Sequence, residues 1–189
     1  MNKRILMWST LVVVVIAIVV AIALVNRGAV NTAATQAPIV GTAARGKAAP
    51  EFQAATNQGF FDLAKTDKPV FLEIFATWCP HCQREASVID KLYAQYKNRV
   101  AFVGVSGSNT GMDGQSPSGE QDVMNFVQTL GVQYPVAYDG SLQVAHEYLQ
   151  GGFPTLVIIG RDKKVTYLTS GETPYADLNG AIKKALGSS

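Results

Sequence analysis

Hydrophobic and polar positions divide the chain into three stretches. Ile5 to Val25 is an uncharged run rich in Val, Ile, Ala and Leu. Asn26 to Ala48 is small and polar, dominated by Gly, Ala, Thr and Asn. From Ala49 to Ser189 apolar positions recur with the periods of strands and helices, over a length sufficient for one domain with its own core. Within that stretch, Val70–Phe75 and Val100–Val105 are short β-rich runs. Between them, Ala86, Ile89, Leu92, Tyr93 and Tyr96 fall on one face of a helix over Pro80–Tyr96. Gly107–Gly119, rich in Gly, Ser, Asn and Asp, predicts a flexible loop. A helix over Glu120–Leu130 follows, turning Val123, Phe126, Val127 and Leu130 inward. Then come a short strand at Val136–Tyr138 and a helix at Leu142–Leu149. Strands at Thr155–Ile159 and Lys164–Leu168 flank the turn Gly160-Arg161-Asp162-Lys163, and Tyr175–Leu186 predicts a closing helix. Alternating strands and helices imply a layered α/β domain, with parallel pairing early and a hairpin late.

The first stretch predicts one transmembrane helix, since a bilayer core takes about 20 apolar residues in a helix. Lys3 and Arg4 precede it, which puts Met1 in the cytoplasm and the domain outside. Arg27, Arg45 and Lys47 reduce that charge contrast. A cleaved signal peptide is the competing reading, but its apolar core is shorter, ~7–15 residues, and Ala21-Ile22-Ala23 lies inside the run. The expected organisation is an anchor with a short cytoplasmic end over 1–27, a flexible linker over 28–48 and a domain over 49–189. Lipid contact is expected through residues 5–25.

Charge alters the picture only when divided the same way. Five of the 16 Lys and Arg residues lie before Glu51, and all 14 Asp and Glu residues lie from Glu51 onward. The domain is therefore net acidic and offers no clustered basic face for nucleic acid.

The candidate chemistry sits in Trp78-Cys79-Pro80-His81-Cys82, which holds the chain's only two cysteines. Two cysteines spaced C-x-x-C, between a strand and a helix, are the sequence form of a thiol–disulfide redox centre. A structural bridge over two intervening residues would close a tiny loop and constrain little of the unfolded chain. Zinc wants four ligands in separated pairs, and Cys79, Cys82, His81 and His146 do not supply them. A tethered binding module without turnover would leave both cysteines unexplained. Pro80 suits the first helical position. The helix N-terminus then favours a thiolate at Cys79, and such a thiolate makes the disulfide more oxidising.

This combination resembles the thioredoxin superfamily, and in particular its membrane-anchored branch of TlpA/ResA/DsbE-like thiol–disulfide oxidoreductases. Phe75-Ala76-Thr77-Trp78-Cys79-Pro80-His81-Cys82 is similar to the active-site run of that branch. Val103 through Val105, Phe126-Val127, Tyr134-Pro135-Val136 and Tyr138-Asp139 are similar to its inserted strand and helix, and Gly151-Gly152-Phe153-Pro154-Thr155 to its cis-proline loop. Pro80-His81 itself is more similar to DsbA-type oxidases.

The resemblance implies a thioredoxin-like fold, a central mixed β-sheet flanked by helices, preceded by the transmembrane helix. It implies Cys79 as an exposed nucleophile, Cys82 as a more buried resolving thiol, and Phe153, Pro154 and Thr155 as the substrate-binding loop, with Pro154 also keeping metal off the thiolate. It also implies that Glu73, in a strand apolar on both faces, takes the proton of the resolving thiol. Trp78, Pro80 and His81 tune the site, His81 as an imidazolium beside Cys79. His146 is expected on a solvated helix face, and Asp113 lacks the spaced acids of a calcium loop. The implied activity is extracytoplasmic disulfide exchange with protein thiols, with no cofactor beyond the cysteine pair, no metal, and a membrane redox partner. The alternatives are a reductase dedicated to cytochrome c maturation and, from another class, a copper-binding assembly protein.

Overall fold

The central strand determines how the rest of the domain is layered. In the computed structural model, which describes Ile16, Ile18 and residues 40–187, the elements from Gln53 onward are β1 (Gln53–Thr56), β2 (Gly59–Asp62), β3 (Val70–Phe75), α1 (Pro80–Tyr96), β4 (Ala101–Ser106), α2 (Glu120–Leu130), β5 (Val136–Tyr138), α3 (Gln143–Tyr148), β6 (Thr155–Ile159), β7 (Val165–Ser170) and α4 (Tyr175–Gly187). One seven-stranded sheet has the order β2-β1-β5-β4-β3-β6-β7. β3 and β5 both pair parallel with β4, each connected to it through a helix, while β6 pairs antiparallel with β3 and β7. The expected parallel pairing early and hairpin late are both present.

All six residues of β3 are buried. Phe71 and Phe75 enter a layer with Ile89 and Leu92 of α1, Phe126 of α2 and Leu178 of α4. Val70, Leu72 and Ile74 enter the opposite layer with Phe52, Val144 and Tyr148. Because side chains alternate along a strand, Glu73 falls on the Phe71 and Phe75 face, toward α1. Each fully buried apolar side chain contributes about 1.5–3 kcal/mol, so β3 can carry one costly acid among five apolar residues.

Three regions differ from the sequence expectation. The β1–β2 hairpin was not foreseen, because Gln53-Ala54-Ala55-Thr56 has weak strand propensity. Packing holds it instead: Phe52 stacks on Phe61 at 5.2 Å and meets Tyr148 edge-on at 5.5 Å. The expected flexible linker over 28–48 is bound at its end. Val40 bridges Gln150 and Ala48 bridges Lys164, while Gly41 N–H donates to Leu149 O at 2.6 Å and Ala43 N–H to Glu147 O at 2.9 Å. Residues 40–48 thus belong to the packed unit. Gly107–Gly119 is also internally bonded: Asp113 accepts from the Gln115 and Ser116 N–H groups at 2.9 and 2.8 Å, and Gly111 N–H donates to Ser116 O at 2.7 Å. Ile16 and Ile18 apart, the expected anchor over Ile5–Val25 lies outside the described residues. Among the described residues no helix is long and apolar enough to cross a membrane.

Candidate active site

The site forms where β3 ends and α1 begins. Cys79 is the N-cap of α1, with extended backbone (φ −77°, ψ 117°), and Pro80 opens the helix. The expectation of an exposed nucleophile is corrected here, since Cys79 is only 4% exposed. Its thiol donates to Phe153 O at 3.7 Å. Cys82, one helical turn on, is fully buried, and both cysteines are free thiols.

The facing loop is held from several directions. The Phe153–Pro154 peptide is cis. Thr155 Oγ1 donates to Gly152 O at 2.9 Å and accepts from Gln150 N–H at 3.0 Å. Ser170 Oγ donates to Gly152 O at 3.1 Å, and Gly171 N–H to Pro154 O at 2.8 Å. Trp78 remains 37% exposed, donates from Nε1 to Ser108 Oγ at 2.9 Å, and meets the Phe153 ring edge-on at 6.1 Å. Gly107 leaves room for this loop, because a Cβ there would lie 2.6 Å from Ile74 Cγ2 and 3.2 Å from the Phe153 ring.

Beneath the cysteines lies a dry floor. Glu73 is fully buried in β3, and its Oε2 accepts from Tyr134 Oη at 2.7 Å while Oε1 has no partner. Burial raises its pKa to about 8, and the nearby acids Glu85 and Asp90 add to the rise. Burial, then the neighbouring Glu73, push the Cys82 thiol far up as well. Glu85 of α1 is 2% exposed and raised by burial to about 6, although the Thr173 N–H donates to it at 3.0 Å.

Above the cysteines lies a wet rim. Glu172, just after β7, contacts His81 Nδ1 at 2.5 Å and accepts from Arg84 Nε at 3.0 Å and from Arg84 Nη2. Those partners, Arg84 first, lower the Glu172 pKa to about 2. Arg84 also lies within electrostatic reach of Cys79. His81 was expected to face Cys79 as an imidazolium; its Nδ1 is instead committed to Glu172 and Arg84. His146 is exposed on α3 as expected. Among the described residues no three His, Cys, Asp or Glu side chains cluster as metal ligands do.

The structure thus brings Cys79, Cys82, Glu73, Trp78, Pro80, His81, Phe153, Pro154 and Thr155 to one end of β3 and the adjoining loops. The sequence reading had missed Tyr134, Glu85, Arg84, Glu172 and Ser108. Glu85 carried a signal, as an acid on the inward face of α1 beside Ala86 and Ile89. Glu172 carried none, because its partners are remote in sequence, and Tyr134 stood in the Tyr134-Pro135-Val136 stretch of the resemblance without its contact to Glu73 being legible.

A two-cysteine centre at a helix start, faced by a cis-proline loop, defines the class of proteins that exchange disulfides through their own thiols. Residues 44–183 match the family described as Redoxin. The thiol–disulfide oxidoreductases ResA of Bacillus thuringiensis (strain Al Hakam) and of Bacillus anthracis are each 32% identical over 144 residues, covering 74% of this chain and 77% of theirs. A crystal structure of a thiol:disulfide interchange protein of the thioredoxin family from Chlorobium tepidum is 27% identical, with a TM-score of 0.59 over 76% of this chain and 99% of that one. The chain belongs to the redoxin family and is a thiol–disulfide oxidoreductase of thioredoxin-like fold.

Proposed function

We propose that Cys79 is the nucleophile and Cys82 the resolving thiol of an extracytoplasmic, membrane-anchored oxidoreductase acting on protein thiols and disulfides. The observation that carries this reading is the placement of Cys79 at the N-cap of α1, one turn before Cys82 and 3.7 Å from Phe153 O. A partner strand laid along Phe153, Pro154 and Thr155 would bring its sulfur to Cys79. In the oxidising direction, a partner thiolate attacks the Cys79 sulfur of the disulfide and Cys82 leaves as a thiolate. A second partner thiolate then displaces Cys79, so the partner is oxidised by two electrons and the cysteine pair reduced. The reducing direction runs the same bonds backward, and there Cys82 must lose its proton before it attacks. Glu73 takes that proton. Trp78, Pro80 and His81 shape the contact surface and tune the centre, and the cysteine pair is itself the redox group, with no other cofactor and no metal.

The anchor expected over residues 5–25 would hold the domain outside the membrane and within reach of a membrane redox partner. With the helix N-terminus and a cationic rim beside Cys79, this reading favours a comparatively oxidising centre. The similarity to ResA supports a second reading, in which a membrane partner keeps the pair reduced and the substrates are cytochrome c apoproteins.

Cys82→Ser, which cannot resolve the mixed disulfide, tests this directly. It should accumulate partner adducts in the envelope fraction that dithiothreitol releases and that Cys79→Ser does not form. Many unrelated secreted proteins in the adducts would support an oxidase; cytochrome apoproteins would support the reductase. Adducts that persist in Cys79→Ser would contradict the assignment.

A further inference from the structure

Tyr134 in the floor of the site touches the acid that takes part in the exchange. Tyr134 lies just before β5, is 1% exposed, and donates from Oη to Glu73 Oε2 at 2.7 Å. Room for this contact comes from Gly104, which stands opposite Glu73 in the β3–β4 register. A Cβ at Gly104 would lie 3.1 Å from Tyr134 Cε2 and 3.4 Å from Glu73 Oε2. The other carboxylate oxygen, Oε1, is buried without a partner.

We propose that Tyr134 is the positioning residue of the proton step: its phenol anchors Glu73 Oε2 and leaves Oε1 free to receive a proton. This rests on the reading of Glu73 as the acceptor of the Cys82 proton.

The other groups acting on Glu73 make the phenol necessary. Glu85 and Asp90, both on α1, oppose its ionisation, as does burial itself. Cys79 and Cys82, at the start of the same helix, are neutral as thiols and negative as thiolates, so neither supplies positive charge. Among the described residues, the Tyr134 hydroxyl is the one interaction that favours the carboxylate. Tyr134 is itself pushed well above its ordinary pKa by burial and by Glu73, so it remains a donor throughout the working range.

The step balances as follows. The Cys82 thiol gives its proton to Glu73 Oε1, and the Cys82 thiolate attacks the Cys79 sulfur of the mixed disulfide. The Cys79–Cys82 bond forms, the bond from Cys79 to the partner breaks, and the partner leaves as a thiolate. The protein dithiol is oxidised and the partner disulfide reduced by two electrons. The proton on Glu73 then passes to solvent.

Below the Glu73 pKa, the rate of this step rises about tenfold per pH unit with the fraction of carboxylate. Removing a hydrogen bond that favours the charged form raises that pKa. Resolution of a mixed disulfide formed on Cys79 with a chromogenic aromatic disulfide, followed from pH 5 to 10 in the full chain, reads the effect. Tyr134→Phe is expected to move the midpoint of the profile up by about one pH unit, to slow resolution about tenfold at pH 7, and to bring the rate back to that of the wild type by about pH 10. Gly104→Ala, which crowds the same contact, is expected to move the midpoint in the same sense. In a Glu73→Gln background, Tyr134→Phe should have no effect on the profile, whereas a merely structural role would still lower the rate.

A Tyr134→Phe profile that superimposes on the wild type, while Glu73→Gln flattens it, would overturn the inference and leave the role of Glu73 standing. An unchanged profile in Glu73→Gln would overturn both.

Discussion

Two acidic side chains at this site are carried in opposite directions by their surroundings. Glu73 lies in the dry floor, with one phenol as its donor, and is raised to about 8. Glu172 lies on the wet rim, bound by Arg84 and His81, and is lowered to about 2. At neutral pH the floor acid is mostly protonated and the rim acid is ionised. Desolvation sets the first and opposite charge the second. An acid that must exchange protons in the working range belongs in the floor. An acid that holds a cationic rim in place belongs where it stays charged.

The largest expected effect comes from removing the floor acid. Glu73→Gln should slow mixed-disulfide resolution about 100-fold near pH 7, the low end of what a positioned proton acceptor contributes. Stopped-flow measurement would show it, and equal rates from pH 6 to 9 would make Glu73 merely structural.

The same substitution should change the pH dependence of stability. A native carboxyl raised from 4.5 to about 8 is protonated where the unfolded one is ionised. Stability is therefore lost as pH rises across that window, at about 1.4 kcal/mol for each pH unit of displacement. Glu85, raised to about 6, adds a loss of the same sign lower in the range. Glu73→Gln should flatten the fall between pH 6 and 8, as read from urea midpoints.

A smaller effect is expected where the N-terminal strap meets the domain. A Cβ on Gly41 would lie 2.2 Å from Glu147 O and 2.7 Å from Tyr148 N. Gly41→Ala should cost about 1–3 kcal/mol, as overpacking does, with the pH profile of resolution unmoved. A stability equal to wild type in urea would show that residues 40–48 are dispensable to the fold.

The rim substitutions should matter least. His81→Pro should make the centre somewhat more reducing in equilibrium with glutathione, by removing the side chain that ties Glu172 and Arg84 to the start of α1. Glu172→Gln should change that equilibrium less than threefold, and the difference should vanish in about 1 M salt, because exposed charges are screened. A larger or salt-insensitive change would mean that the rim is not separate from the floor.

Much of this was legible in the sequence because the signals were local. The all-apolar β3, the inward face of α1, the C-x-x-C spacing and Gly-Phe-Pro-Thr each depend on neighbours within a few residues. The β1–β2 hairpin was not legible, since Phe52 reaches Phe61 and Tyr148 to hold a weak strand. The strap at residues 40–48 was also missed, because small polar residues bound through their backbones have the composition of a linker. The burial of Cys79 and the turning of His81 toward Glu172 are tertiary facts that spacing does not encode. Glu73 was found through its contrast with five apolar neighbours, but its donor, Tyr134, lies 61 residues away.

The most direct test is carbon-13 NMR titration of the side-chain carboxyl groups in reduced protein labelled at glutamate, with Glu73→Gln and Glu172→Gln spectra as assignments. The Glu73 resonance should titrate near pH 8 and the Glu172 resonance near pH 2. A Glu73 resonance that titrates near its ordinary 4.5 would contradict the dry floor and the proton step built on it.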